Sequence, residues 1–292
     1  MAEILYLCVE TGSLFLIHLA MAQKNGKYIQ QIEIDALWNG QKHVVWDLRP
    51  DVNILSGVNG VGKSTILNRV VKQLLSINKI DRDLGGVRLK FYPEDATGID
   101  FDIIRSFDRP ILSSEYLNRV TDTELNTELD FHLYQLQRQY LDYQVNLSNR
   151  MVEVLTQQGS DAQQKAQDLA LEKTHFLDLV DSLFKDTGKK IERSMNEIYF
   201  QSLGEVISPY KLSSGEKQML IILLTVLVQN KKPYVLFLDE PEVSLHVEWQ
   251  QRLIGIIRDL NPNIQVIMTT HSPAVIMDGW ADCVTDVEEI VS

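Results

Sequence analysis

The chain predicts an α/β fold whose sheet is interrupted by an inserted helical lobe, and three features predict it. A glycine-rich loop, Gly57-Val58-Asn59-Gly60-Val61-Gly62-Lys63-Ser64, joins the short apolar run VNIL to a helical pattern. A second apolar run, Tyr234-Val235-Leu236-Phe237-Leu238, ends in the carboxylate pair Asp239-Glu240. Between about residues 113 and 200 the texture changes to a polar, Gln-rich stretch with almost no Gly or Pro, in which apolar residues recur at helical spacing. Two halves of one α/β domain, residues 1–112 and 201–292, around a helical insertion at 113–200 account for the whole chain.

The elements follow in order. IQQIEI alternates from Ile29, the Asn39-Gly40 pair is a hairpin-turn signal, HVVWDL alternates again, and VNIL reads as a short buried strand. A helix opens at Ser64 (STILNRVVKQLL) with apolar positions spaced for one buried face, and VRLKFY and IDFDII read as two further strands. In the lobe, Leu125, Leu129, Leu133, Leu136, Tyr140 and Tyr143 form one helical stripe. Phe176, Val180 and Leu183 start another after a break at Gly159-Ser160, and the stripes are expected to pack on each other or on the core. The α/β texture returns at Ile207: LSSGEKQ opens a helix running to about Val228, followed by strand YVLFL, helix VEWQQRLIGIIRDL and strand IQVIM.

Bulk properties narrow the function classes. A length of 292 residues with 45% hydrophobic content supports a sizeable core. The net charge of -12 argues against a surface that clamps nucleic acid throughout, because such affinity rests on Lys and Arg meeting phosphates; a local basic patch stays compatible with it. Cys8 and Cys283 share no metal-ligand spacing, which leaves neither a disulfide framework nor a zinc site and fits a reducing cytoplasm. The apolar pieces ILYLC and SLFLIHLAM near the start have no preceding positive region and are split by Glu10 and Gly12. Each falls short of the roughly 20 residues that span a bilayer, so residues 1–28 read as an extension, with no membrane anchor expected.

The glycine loop satisfies G-x-x-x-x-G-K-[ST] where the physics requires it, after a buried strand and at a helix start. Such glycines let backbone N–H groups wrap phosphates, and the helix N-terminus adds a positive dipole. Lys63 is placed to reach the β- and γ-phosphates, and the Ser64 hydroxyl to bind Mg²⁺. At the end of a buried strand, Asp239 suits the Mg²⁺ shell and Glu240 suits a general base for an attacking water. Leu212-Ser213-Ser214-Gly215-Glu216 reads as an N-cap with a capping box, and its Ser-Gly turn is also an anion site.

These segments, with Pro241-Glu242-Val243-Ser244-Leu245-His246 and Thr269-Thr270-His271-Ser272-Pro273, resemble in order and type the motifs of ABC-type ATPases. Asn59 in the glycine loop, Leu245-His246 where transporters have Leu-Asp, and the THSP segment are similar to the SMC, RecF and OLD group. The resemblance implies ATP and Mg²⁺ as ligands. It implies nucleotide contacts from Asn59, Gly60, Val61, Gly62, Lys63, Ser64 and Thr65, and, across a face-to-face dimer, from Ser213, Gly215 and Glu216 of the second copy. Metal binding falls to Ser64 and Asp239, and catalysis to Glu240, Lys63 and His271. Ser214 replaces the first glycine of the usual signature, and Arg105-Ser106-Phe107-Asp108 stands where a Q-loop glutamine would be. Trp38 and Trp46 are candidates for stacking on adenine, although core packing is the expected role for both.

OLD-like proteins continue past the THSP segment into a Toprim nuclease domain, whereas the sequence here ends at Ser292. The resemblance therefore implies an ATP-dependent switch, dimeric or of higher order, controlling a separate nuclease-type effector, as in bacterial anti-phage systems such as PARIS. The alternative is a RecF-like DNA-binding ATPase in repair, against which the acidic balance and the short lobe count.

Overall fold

The computed structural model describes residues 24–37, 42–77, 86–105, 125–157 and 161–292. The readings made for the first twenty residues, Trp38, Asn39-Gly40, Ser106-Phe107-Asp108 and Gly159-Ser160 lie outside them.

The chain forms β1 (Tyr28–Leu37), β2 (Lys42–Asp47), β3 (Val52–Ser56), α1 (Lys63–Ile77), β4 (Val87–Tyr92) and β5 (Phe101–Arg105). Helices α2 (Glu128–Thr156) and α3 (Ala162–Leu183) follow, then β6 (Lys189–Ile191), β7 (Phe200–Ser202) and β8 (Glu205–Ile207). The last part comprises α4 (Ser214–Val228), β9 (Tyr234–Asp239), α5 (Val247–Leu260), β10 (Ile264–Thr269), α6 (Pro273–Met277), β11 (Val284–Asp286) and α7 (Val287–Ile290). The central sheet has five strands in the order β11-β3-β10-β9-β5, all parallel, and β2-β1-β4 form a separate antiparallel sheet.

Every residue of β9 and β10 is buried, because each sheet face is covered and neither strand can alternate with solvent. β9 reads as an apolar run up to Asp239, and β10 interrupts its run at Gln265, whose amide bonds to the backbone of Ile29 and Arg49. On one face Leu55, Val235, Phe237 and Ile267 meet Ile66, Leu67 and Val70 of α1 and Ile29, Ile32 and Ile34 of β1. Trp46 joins this cluster at 1% exposure, the packing role expected for it. On the other face Leu236, Leu238, Val266 and Met268 meet the apolar residues of α4, α5 and the lobe.

The lobe is thus part of the main core. Leu129, Leu133, Leu136, Tyr140 and Tyr143 of α2 and Phe176, Val180 and Leu183 of α3 are all buried in that second cluster, as their spacing predicts. Thr127 caps α2 through a capping box with Asp130. The helical texture expected to continue to residue 200 stops at Leu183. Gly188, at φ 66, turns the chain out of the helix into a three-stranded antiparallel sheet, β6-β7-β8, whose Ile191 and Phe200 face the core. Among the described residues no helix is long and apolar enough to cross a membrane.

A buried ion pair ties the lobe to α4: Lys217 Nζ donates to Asp130 Oδ1 at 2.7 Å, with side chains 11% and 3% exposed. Removing one member leaves the other charged, buried and unpaired, which typically costs about 3–5 kcal/mol. Asp130→Ala is therefore expected to lower unfolding stability by that order, read as a reduced urea midpoint at unchanged slope.

Candidate functional site

Parallel strands place their carboxyl ends along one edge, and here three of them deliver the site. Thr269 of β10 sits in register between Leu55 of β3 and Asp239 of β9, so the loops after all three strands emerge together.

The glycine loop leaves β3 and enters α1. Gly60 and Gly62 hold φ values of 81 and 105, which side chains rarely adopt, and a Cβ added at Gly60 would meet only open space. Asn59, Gly60 and Thr65 are exposed, while Val61, Gly62 and Ser64 are half-buried. Lys63, the first residue of α1, is 4% exposed and donates to Gly57 O at 2.9 Å and Val58 O at 3.2 Å. Its Nζ lies 2.6 Å from His271 Nε2. Burial pushes the ammonium down from its ordinary range, opposed by the carboxylates of Glu240, Glu242, Asp239 and Asp286.

Ser64 Oγ donates to Asp239 Oδ1 at 2.8 Å, and Thr269 Oγ1 donates to the same oxygen at 2.7 Å. Two hydroxyls thus fix the carboxylate that closes β9. Glu240, the next residue, takes the left-handed conformation with φ 51, and its N–H donates to Thr269 Oγ1 at 3.1 Å. A non-glycine residue there carries local backbone strain, which occurs preferentially at functional positions. Glu240 Oε1 stands 3.1 Å from the same His271 Nε2 that meets Lys63 Nζ, so one ring nitrogen faces both groups and either accepts from the ammonium or, when protonated, donates to the carboxylate.

The loop that carries His271 is held from below. Glu242 Oε1 accepts from Thr270 Oγ1 at 2.6 Å, from His271 N at 2.7 Å and from Ser272 N at 3.2 Å. Gln250 of α5 adds a second tie, accepting from Ser272 Oγ at 2.7 Å while donating to Leu245 O at 2.8 Å.

The Ser213 turn is built into a different neighbourhood. Ser213 is the N-cap of α4, and Glu216 answers it through Ser213 N and Oγ, both 2.9 Å from Oε2. The other oxygen of Glu216 accepts from Thr187 Oγ1 at 2.7 Å and Lys189 Nζ at 2.8 Å. Burial pushes the Glu216 carboxyl up, but Lys189, Thr187 and Ser213 together hold it below its ordinary value. A Cβ at Gly215 would come within 2.3 Å of Ser244 O, so this turn presses directly on the segment that follows Glu240.

Of the residues selected from sequence, Lys63, Ser64, Asp239, Glu240 and His271 join in one bonded set, whereas Ser213, Gly215 and Glu216 are tied to the lobe and to Ser244. Thr269 and Glu242 lie inside segments quoted for the resemblance but were given no role from sequence, and Gln250 was not named at all. Their importance comes from contacts between strand ends and loops.

A profile of the family described as "AAA domain, putative AbiEii toxin, Type IV TA system" matches residues 157–278, which include the Ser213 turn, Asp239, Glu240 and His271. The chain is similar to "Retron Vc95 probable ATPase" of Vibrio cholerae serotype O1 biovar El Tor, 32% identical over 98 residues; the match covers 30% of this chain and 19% of that protein. It is also similar to Septu protein PtuA of Bacillus thuringiensis, 24% identical over 298 residues, covering 85% of this chain and 72% of that one. Among solved structures, the Smc head bound to the C-winged helix domain of ScpA superposes with a TM-score of 0.49 at 14% identity, covering 86% of this chain and 91% of that one. The chain spans less than a fifth of the length of the retron protein it matches. The glycine loop, the parallel sheet and the bonded set around Lys63, with these sequence likenesses, identify an α/β P-loop fold of ABC type.

Proposed function

We propose that this ABC-type ATPase hydrolyses ATP in composite sites made by two copies closing face to face, and that in the cytoplasm it uses the cycle to control a separate nuclease-type effector in bacterial defence. The observation that carries the reading is the single bonded set linking Lys63, His271, Glu240, Asp239 and Ser64 at the mouth of the glycine loop.

In this reading the loop from Asn59 to Thr65 cradles the triphosphate, with Lys63 exchanging its bonds to Gly57 O and Val58 O for phosphate oxygens. Ser64 and Asp239, whose oxygens lie 2.8 Å apart, are the donors that suit a hard cation and would hold Mg²⁺. That ion supplies charge neutralisation across the phosphates when bound. Glu240 orients and deprotonates the attacking water, held in place by its strained backbone and the Thr269 hydroxyl. His271 senses the γ-phosphate from its position beside Glu240 and Lys63. Ser213 and Gly215 complete the site of the second copy, with Glu216 fixing the shape of their turn. Exposed apolar side chains on the glycine loop, Val58, on the Pro241–Ser244 turn, Val243, at the start of α5, Val247, and at the end of α6, Met277, support closure of this face against another protein surface.

A mixing experiment tests the composite site. Lys63→Ala disables the glycine loop but leaves the Ser213 turn intact, and Ser213→Arg does the reverse. Each variant alone is expected to be inactive, and an equimolar mixture is expected to recover about a quarter of wild-type turnover, because mixed dimers hold one complete site. A mixture as inactive as its components would refute sites shared between copies.

A further inference from the structure

We infer that Glu242 is a positioning residue for His271: its buried carboxylate sets the loop that aims the imidazole at the γ-phosphate position. The inference rests on the ATPase reading above and adds to it a residue outside the bonded set.

The geometry is specific. One carboxylate oxygen, on a residue 8% exposed, receives three donors from three consecutive residues: the Thr270 hydroxyl, the His271 N–H and the Ser272 N–H. Thr270 is itself 1% exposed, so its hydroxyl has little water to fall back on. Bonds to an ionised acceptor are roughly twice as strong as neutral ones, which makes a carboxylate a firmer clamp here than a hydroxyl or an amide. The effect on chemistry follows from the spacing. His271 Nε2 is 2.6 Å from Lys63 Nζ and 3.1 Å from Glu240 Oε1, distances that fail if the backbone at residue 271 shifts by even an ångström.

Glu242 also lies where the site meets the Ser213 turn. It belongs to the short helical turn Pro241–Ser244, and the Ser244 carbonyl is the atom against which Gly215 packs. Gln250 braces the same junction by donating to Glu242 O at 3.2 Å and accepting from Ser272 Oγ at 2.7 Å. The Ser213 turn, Ser244, Glu242 and His271 are thereby in continuous contact within one chain.

The test is steady-state ATP hydrolysis by the full chain as wild type and as Glu240→Gln, Glu242→Gln, Glu242→Ala, Thr270→Val, His271→Ala and the double variant Glu242→Ala/His271→Ala. His271→Ala is expected to lower kcat about 100-fold. Glu242→Ala is expected to lower kcat by a similar factor with KM for ATP changed by less than about 3-fold, because the loop acts on the transition state and not on binding. The double variant is expected to be no slower than His271→Ala alone, since both remove the same contribution. Glu242→Gln, which keeps an acceptor oxygen but loses its charge, recovers only part of the rate, about 10-fold below wild type, and Thr270→Val gives a smaller loss in the same direction. Multiplying losses in the double variant, a KM effect without a kcat effect, or an inert His271→Ala would overturn the assignment. Should Glu242→Ala fail to fold, Glu242→Gln and Thr270→Val, each with and without His271→Ala, provide the same cycle. A wild type without turnover, or one unaffected by Glu240→Gln, would instead sink the ATPase reading and this inference with it; wild-type turnover that Glu240→Gln abolishes, together with a Glu242 cycle that departs from these expectations, sinks only the latter.

Discussion

Glu240→Gln is expected to reduce ATP turnover by about 10²–10⁴-fold while leaving ATP binding intact and trapping ATP-bound dimers. The amide keeps the shape of the side chain but cannot accept a proton from water at neutral pH. The backbone at this position is already committed, with φ 51 and its N–H bonded to Thr269 Oγ1, so the substitution changes chemistry and not placement. The glycine loop and the Ser64-Asp239 pair, which the reading assigns to binding, are untouched. Single-turnover hydrolysis measures the rate, and sedimentation with ATP measures the dimer. Turnover at the wild-type rate would mean that the base lies elsewhere.

Gly215→Ala is expected to be damaging as well, to a smaller degree and for a mechanical reason. The added Cβ would lie 2.3 Å from Ser244 O, an overlap between two stretches of backbone that no rotamer can relieve. Either the Ser213 turn or the Pro241–Ser244 turn must move, and the second carries Glu242 and is capped by Glu240. Turnover should fall more than about 10-fold, since misplacement of about an ångström at a reacting centre is enough for such losses. Overpacking of this kind also lowers stability by about 1–3 kcal/mol. Gly255 of α5 is the control: a Cβ there meets nothing within 4 Å, and Gly255→Ala should be neutral or stabilise by about 0.4–1 kcal/mol. Equal damage from both substitutions would indicate general loss of stability and remove the special role given to Gly215.

Local chemistry was the most legible part of the molecule. The helix read from VEWQQRLIGIIRDL spans Val247–Leu260, all fourteen of those residues, because its apolar residues repeat at helical spacing against one sheet face. The stripes of α2 and α3 were readable for the same reason, and so was their burial. The small sheet β6-β7-β8 was not, since its strands are three residues each and too short to display alternation. Within the site, the capping box of Ser213 and Glu216 needed only four consecutive residues to be seen.

The sequence alone determined the type of fold and the residue types proposed to meet phosphate, because a glycine loop, a strand ending in two carboxylates and a Ser-capped helix are each specified by neighbours along the chain. Tertiary structure alone decided how these pieces act on one another. Lys63 and His271 are 208 positions apart, and Asp130 and Lys217 are 87 apart. Such pairs exist only because parallel strands bring distant loops to one edge and because the lobe folds back onto α4. Short-range pattern records which face of an element is buried; it does not record what is buried against it. That information is held in the order of β3, β10 and β9 and in the close contact of Gly215 with Ser244.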